Sequence, residues 1–316
     1  MVVPPTPENL EKAAQILRSG GLVAFPTETV YGLGANALDA EAVARIFEAK
    51  QRPSFDPLIV HVASREMLGQ VACEVSSQAE ALIERFWPGP LTLVLPKAAA
   101  VPGIVTSGLP TVAVRMPGHP VALELLRRAG VPVAAPSANP FGYLSPTRAE
   151  HVARMLEDRV DLILDGGLTT HGVESTIVML GEKPTVLRYG AIPVEELEPV
   201  VGPLELSVGE SLKPLVPGQL PQHYAPRTPI HIARPEEVPT RGRKKLGYLA
   251  FQDVPRGFGV VKVLSPTGDL REAAAHLFEA LHQLDMLGLE AIYAEPVPEE
   301  GLGRAIMDRL RRAATR

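Results

Sequence analysis

The sequence predicts an α/β protein: a twisted mixed sheet with packed helices, then a Pro-rich linker, then a smaller Rossmann-like α/β domain. Three observations predict this. Amphipathic helical stretches alternate with short apolar runs, but not in strict strand–helix–strand order. Apolar runs follow one another directly near 91–115 and 176–188, which calls for antiparallel neighbours in a mixed sheet. From 199 to 228 the pattern breaks into a Pro- and Gly-rich stretch containing Pro217-Gly-Gln-Leu-Pro-Gln-His-Tyr-Ala-Pro226. The domains are accordingly drawn at 1–205 and 229–316, with a linker over 206–228.

Leu10, Ala13, Ala14 and Leu17 follow the helical period over 8–19, and Gly20-Gly21 stops that helix. Leu22–Phe25 reads as a buried strand. Asp39 caps a helix over 39–50 that turns Ala42, Val43, Ile46 and Phe47 inward. Leu58–Val62 is a strand, and Ser76 or Ser77 caps a helix running to Phe86, where Trp87-Pro-Gly-Pro90 ends it. Leu91–Leu95, Thr111–Arg115 and Val131–Ala135 are strands, with a helix over His119–Ala129. Pro146–Leu156, Asp161–Leu164, Thr176–Met179 and Thr185–Arg188 continue the mixture. Beyond the linker, Ile230–Ala233, Leu246–Phe251, Val260–Leu264 and Ala291–Ala294 are strands. Leu270, Ala274, Leu277, Leu281 and Leu284 mark one face of a long helix, and 301–313 form another.

Composition narrows the function. The 316 residues are 46% hydrophobic and 21% charged, as in a soluble globular protein. No apolar stretch reaches membrane-spanning length, and the first residues lack the pattern of a signal peptide. Cys73 is the only cysteine, so an internal disulfide is impossible and a reducing, cytoplasmic location is expected. The net charge of −5 argues against a strongly basic nucleic-acid binder. Residues 1–205 carry 16 Lys+Arg against 23 Asp+Glu, net −7, so any anion bound there needs a local pocket. Abundant proline (32 residues) and only three asparagines point toward a thermostable chain.

Polar residues stand at the ends of the strand-like runs, where an α/β sheet presents side chains to a ligand. Gly32-x-Gly34 resembles a dinucleotide fingerprint only in form; Pro26 and a crowded turn count against it, and a tight strand-to-helix connection explains the glycines. P-loop, nucleophile-elbow and zinc motifs are absent. Lys50 and Arg52 end a helix. They complement its dipole, or, turned by Pro53, they meet a phosphate-like anion. His61 closes the run Leu58-Ile-Val-His and serves either packing or a ligand. Arg115 ends a strand that looks buried on both faces, and a charge there needs a partner or a ligand carboxylate. Ser137 and Asn139 follow a buried run, as a turn or as ligand contacts. Glu174-Ser-Thr176 and Arg188 carry the same two readings.

The segments Pro-Thr-Glu-Thr-Val-Tyr-Gly-Leu, Lys-x-Arg-Pro, Pro-Leu-Ile-Val-His, Trp-Pro-Gly-Pro-Leu-Thr, Val-Arg-x-Pro, Pro-Ser-Ala-Asn and Ser-Thr-Ile-Val occur here in that order. Over roughly 8–205 the chain therefore resembles the threonylcarbamoyl-AMP synthase (YrdC) family. The linker and second domain resemble its longer, two-domain form. The resemblance implies a YrdC-like fold and a nucleotidyltransferase that joins L-threonine, bicarbonate and ATP into threonylcarbamoyl-AMP and pyrophosphate. It implies that a partner enzyme then transfers the group to an adenosine of tRNA, with weak tRNA contact by this chain as a further expectation. By resemblance, Lys50, Arg52 and Arg188 hold phosphate, with Lys50 and Arg52 catalytic. Thr29, His61, Arg115, Ala135 and Ser175 surround threonine. Thr111, Ser137, Asn139 and Ser145 meet the nucleotide, and Tyr224 covers it from a linker that folds over the site. Asp56 departs from the asparagine frequent in the family and stays a weaker nucleotide-site candidate, to be paired with Arg52 or a metal. Magnesium is expected to arrive on the ATP phosphates rather than in a protein-only site. Two other functions compete. One is an RNA-binding module, which the net −7 disfavours. The other is a carbamoyl-adenylating enzyme of metal-cofactor maturation, whose zinc-binding and acyl-phosphatase-like segments are missing here.

Overall fold

The computed structural model describes residues 1–209, 214–220 and 223–315. Parts of the predicted linker, at 210–213 and 221–222, and residue 316 lie outside the described residues. Strand β1 (Val2–Val3) leads into helix α1 (Pro7–Arg18), which buries the predicted stripe Leu10, Ala13, Ala14 and Leu17. β2 (Val23–Phe25) and β3 (Gly32–Asn36) form an antiparallel pair. There follow α2 (Ala40–Lys50), β4 (Ile59–His61), α3 (Arg65–Val71), α4 (Ser77–Phe86), β5 (Leu91–Pro96), α5 (Gly103–Thr106) and β6 (Thr111–Arg115). The first unit continues with α6 (Pro120–Ala129), β7 (Val133–Ala134), α7 (Ala149–Leu156), β8 (Leu162–Leu164), β9 (Thr176–Met179), β10 (Thr185–Arg188), α8 (Val194–Val201) and β11 (Glu205–Leu206). Asp39 caps α2 by accepting from the backbone N–H of Glu41 and Ala42, and Ser76 caps α4.

Two sequence expectations change. Gly32 and Gly34 do not form a strand-to-helix turn; they lie within β3. A Cβ on Gly34 would stand 2.8 Å from both Phe25 and Val133, so glycine here lets three strands close up. The Pro- and Gly-rich pattern that sets in at 199 is also not all linker, because α8 runs to Val201 and β11 pairs in parallel with β10.

Eleven strands join in the order β1-β8-β2-β3-β7-β4-β6-β5-β9-β10-β11, with parallel and antiparallel neighbours mixed as predicted. Side-chain alternation divides the centre of this sheet. Val60, Leu91, Leu93, Val112, Val114 and Val178 enter the main core. The residues between them face the other way. Ile59, Val94, Ala113 and Ile177 pack with Leu187 under Val216 of the linker. His61, Thr92, Thr111 and Arg115 share that second face by the same two-residue period. The strand that looked buried on both faces is thus core on one side and roofed by linker on the other.

The second unit has β12 (Ile230–Ile232), β13 (Leu246–Ala250), β14 (Val260–Val263), α9 (Leu270–Asp285), β15 (Ala291–Ala294) and α10 (Gly303–Ala314). Its four strands are all parallel, in the order β12-β15-β13-β14. Its core does not stop at its own boundary. Leu277, Phe278, Leu281, Ile306 and Leu310 belong to one buried cluster with Val30, Leu144, Val173 and Ala191 of the first unit and Tyr224 of the linker. An apolar seam of this kind joins the units far more firmly than a tether.

Gly172 sits at that seam with φ +67, and a Cβ there would come 2.4 Å from the carbonyl oxygens of Ala274 and Ala275. Gly172→Ala therefore pushes α9 off the first unit. We expect a loss of about 2 kcal/mol or more, seen as a lower melting temperature; an unchanged melting curve contradicts the close approach.

Candidate active site

Strand registers bring distant segments to one edge of the sheet. His61 pairs with Arg115, Arg115 with Thr92, and Leu91 with Thr176. The C-terminal ends of β4, β6 and β10 therefore meet the N-terminal ends of β5 and β9. Between Val186 and Arg188 the register slips, so that Arg188 stands opposite Ile177 and turns toward the same face. The result is a recess of about 520 Å³, counting its open mouth. Its wall includes Thr29, Arg52, His61, Arg115, Ala135, Ser137, Ser175, Arg188 and Tyr224, nine of the residues proposed from sequence.

Three buried arginines define the recess. Arg115 donates to the Thr29 hydroxyl (2.8 Å) and the Gly89 carbonyl (3.3 Å), and pairs with Glu28 at 2.6 Å. Burial works against the Glu28 carboxylate, yet Arg115 and backbone N–H groups hold its pKa below the usual value. Arg52 pairs with Asp56 at 2.8 Å and donates to the carbonyls of Asp56 and Pro57. Burial pushes the Asp56 carboxyl up against the pull of Arg52, Lys50 and Arg188. Arg188 donates to the Ser175 carbonyl (2.9 Å) and hydroxyl (3.0 Å) and to the Pro217 carbonyl (3.2 Å), so it holds the linker as well as the wall. The Ser175 hydroxyl also meets that of Thr92 at 2.7 Å. Each cation is held by fixed acceptors, and its side chain lines the recess.

His61 is buried, with Nδ1 lacking a partner and its ring edge-on to Phe25. Burial, with Arg115 beside it, lowers its pKa to about 3, so the imidazole is neutral at pH 7. The roof comes from the linker. Tyr224 adopts φ +64 and is buried, with its ring beside that of His223. Gly218 at φ +89 leaves room for the Tyr224 hydroxyl, 2.9 Å from where a Cβ would stand.

The other proposed residues lie behind or beside the wall. Lys50 is fully buried and its ammonium donates to the carbonyls of Ser137 and Asn139, pinning that loop. Burial, and next Arg52, depress its pKa well below the ordinary value. Asn139 bonds the carbonyls of Pro140 and Tyr143 through Nδ2. The Ser145 hydroxyl donates to Glu174 at 2.5 Å. Thr111 lies on the recess face of β6, four residues from Arg115. Asp56 stands beneath Arg52. Among the described residues no group of three or more His, Cys, Asp or Glu could hold a metal ion.

Residues 15–190 match the family described as "Telomere recombination", and 192–315 match "Threonylcarbamoyl-AMP synthase, C-terminal domain". A threonylcarbamoyl-AMP synthase of Pyrococcus abyssi is 47% identical over 315 residues, covering 96% of this chain and 93% of the relative. The chain belongs to the threonylcarbamoyl-AMP synthase family. A family member from Bacillus subtilis is 44% identical, with 96% and 92% covered. The crystal structure of P. abyssi Sua5 complexed with L-threonine superposes with a TM-score of 0.89 at 44% identity, covering 97% of this chain and 94% of that one.

Sequence inspection of this family member passes over Thr27, Ile59, Gly218 and His223 of the wall. It also passes over Arg309 on α10, which ion-pairs with Glu174 at 2.8 Å. His223 stands in the quoted linker stretch beside Tyr224 and was open to notice. Arg309 lies in an ordinary amphipathic helix, and no local signal separates it from Arg311 or Arg312.

The His61 shift has a direct consequence for stability. Unfolded, the ring takes a proton near pH 6.5; folded, it resists until about pH 3. Between those values the unfolded state holds about one more proton, so this contribution is intact above pH 6.5 and is lost as pH falls. Denaturant titrations of wild type and His61→Asn should differ in slope by about 1.4 kcal/mol per pH unit between pH 6 and 4. Equal slopes would mean His61 is solvated.

Proposed function

We propose that this recess joins L-threonine, bicarbonate and ATP to give threonylcarbamoyl-AMP and pyrophosphate. The observation that carries the proposal is the convergence of Arg52, Arg115 and Arg188 from separate segments into one roofed recess. One guanidinium suits a carboxylate, and two more suit phosphates.

Arg115, backed by Glu28 and Thr29, takes the threonine carboxylate. The neutral His61 offers Nδ1 to the substrate's hydroxyl or amine, and Ser175 and the Ala135 backbone complete that side. Bicarbonate gives up hydroxide as its C–O bond breaks to leave CO2; the free threonine amine attacks that carbon, forming the N–C bond of a carbamate, and the proton it loses joins the hydroxide as water. A carbamate oxygen then attacks the α-phosphorus; that O–P bond forms as the bond to the β-phosphate oxygen breaks and pyrophosphate leaves. Arg52 and Arg188 offset charge on the phosphates, so catalysis rests on positioning and fixed electrostatics. Ser137, Thr111 and Tyr224 are assigned to the nucleotide. Asn139, Ser145 and Lys50 support that side from behind. Magnesium is carried by the ATP phosphates and water, with no clustered carboxylates required. The linker roof excludes water from a carbamate and a mixed anhydride that both hydrolyse. The product then passes to a separate enzyme for transfer to tRNA, in the cytoplasm, with at most weak tRNA contact by this chain.

The test is pyrophosphate release from magnesium ATP with each co-substrate omitted in turn, and the product identified by mass. Release needing both threonine and bicarbonate, with the threonylcarbamoyl-adenylate mass, is expected. ATP-independent, steeply salt-dependent RNA binding without release would overturn the proposal. In the same assay Arg115→Ala should raise the KM for threonine by about a hundredfold while ATP still binds; an unchanged threonine KM would remove Arg115 from its assigned place.

A further inference from the structure

One side chain of the second unit, Arg309, bonds directly to a residue of the recess wall, Glu174. Arg309 of α10 is only 1% exposed. Its Nε donates to Glu174 at 2.8 Å and its Nη2 to the Tyr189 carbonyl at 2.9 Å, and Asp308 pairs with Nη1. The guanidinium also lies over the Tyr224 ring, 4.9 Å from its centroid. Glu174 in turn lines the recess beside Arg188, yet no ion pair joins those two among the described residues. The carboxylate is occupied on one oxygen by Arg309 and on the other by Ser145.

We propose that Arg309 is a positioning residue that holds the charge of Glu174 away from Arg188 and so keeps Arg188 available to the phosphates of ATP. This inference rests on the function proposed above. A buried carboxylate needs a cation. Burial works hardest against the Glu174 carboxylate, and of the cations that offset it Arg309 comes first and Arg188 next, so that its pKa stays below the usual value. Without Arg309, Arg188 is the cation left to answer Glu174. It would then surrender its bonds to Ser175 and to Pro217 of the linker, and the phosphate side of the recess would lose both a charge and part of its roof. The threonine side, built on Arg115 and Glu28, keeps its own pair. The second unit thereby sets the electrostatics of the site without touching substrate.

The experiment uses the full chain and reads binding apart from turnover. Calorimetry with ATP and, separately, with L-threonine is run on wild type, Arg309→Met, Arg309→Lys and Glu174→Gln/Arg309→Met, alongside thermal melts. Arg309→Met should weaken ATP about tenfold and threonine less than about twofold. Arg309→Lys should fall between it and wild type. Removing the carboxylate in the double variant should recover most of the lost ATP affinity. Unchanged ATP affinity in Arg309→Met overturns the inference. So does equal weakening of both ligands with a collapsed melting temperature, which is what a purely structural role would give. If Arg309→Met does not fold, the double variant decides: an ATP loss of no more than about threefold supports the inference, and a tenfold loss overturns it. A wild type that binds ATP yet releases no pyrophosphate sinks the proposed function instead and leaves the calorimetric comparison standing.

Discussion

The matching of buried arginines to fixed acceptors, a buried carboxylate in three cases, is the constraint around which this protein is organised. Arg52 has Asp56, Arg115 has Glu28, and Arg309 has Glu174. A guanidinium taken out of water alone would cost several kcal/mol, and breaking a buried pair by removing one partner costs about 3–5 kcal/mol. The chain meets this demand with acceptors fixed by the backbone as well: carbonyls of Gly89, Asp56, Pro57, Ser175, Pro217 and Tyr189 receive the remaining N–H groups. The cations are therefore in place before any ligand arrives. For a family whose chemistry is transfer at phosphorus, that standing arrangement is what catalysis requires.

Buried arginines also tie the two units and the roof together. Arg188 bonds Pro217, and Arg312 donates to the carbonyl of Leu220, so the linker is held from the sheet below and from α10 behind. Tyr224 lies in the apolar seam with Phe278, and its neighbour His223 meets Phe141 edge-on. Further polar ties cross the seam: His282 bonds the Ser145 carbonyl, and Thr228 donates its N–H to Asp285. A roof fastened at this many points is held over the recess by both units.

Much of this was legible in the sequence, for identifiable reasons. Helices with clean stripes, such as Leu10–Leu17 and Leu270–Leu284, were visible because packing on a sheet imposes a 3.6-residue period. The recess residues nearest a strand end, His61, Arg115 and Ser175, were visible because a charge or hydroxyl closing an apolar run is conspicuous. The glycines of β3 misled because Gly-x-Gly suggests a turn, whereas the deciding fact, the closeness of Phe25 and Val133 to Gly34, is tertiary. Lys50 and Ser145 read as ligand contacts, and no local pattern shows the bonds they make to the Ser137 carbonyl and to Glu174. Arg309 was invisible for the converse reason. Its meaning lies wholly in a contact 135 residues away, which no local pattern encodes.

That separation also orders events during synthesis. Glu174 leaves the ribosome long before Arg309, and at ordinary elongation rates 135 residues take on the order of ten seconds. Over that interval the first unit lacks the cation that α10 brings to Glu174, and Arg188 is the other cation that acts on that carboxylate. The final setting of Glu174, with Arg309 on one oxygen and Ser145 on the other, is reached only when the last helix docks.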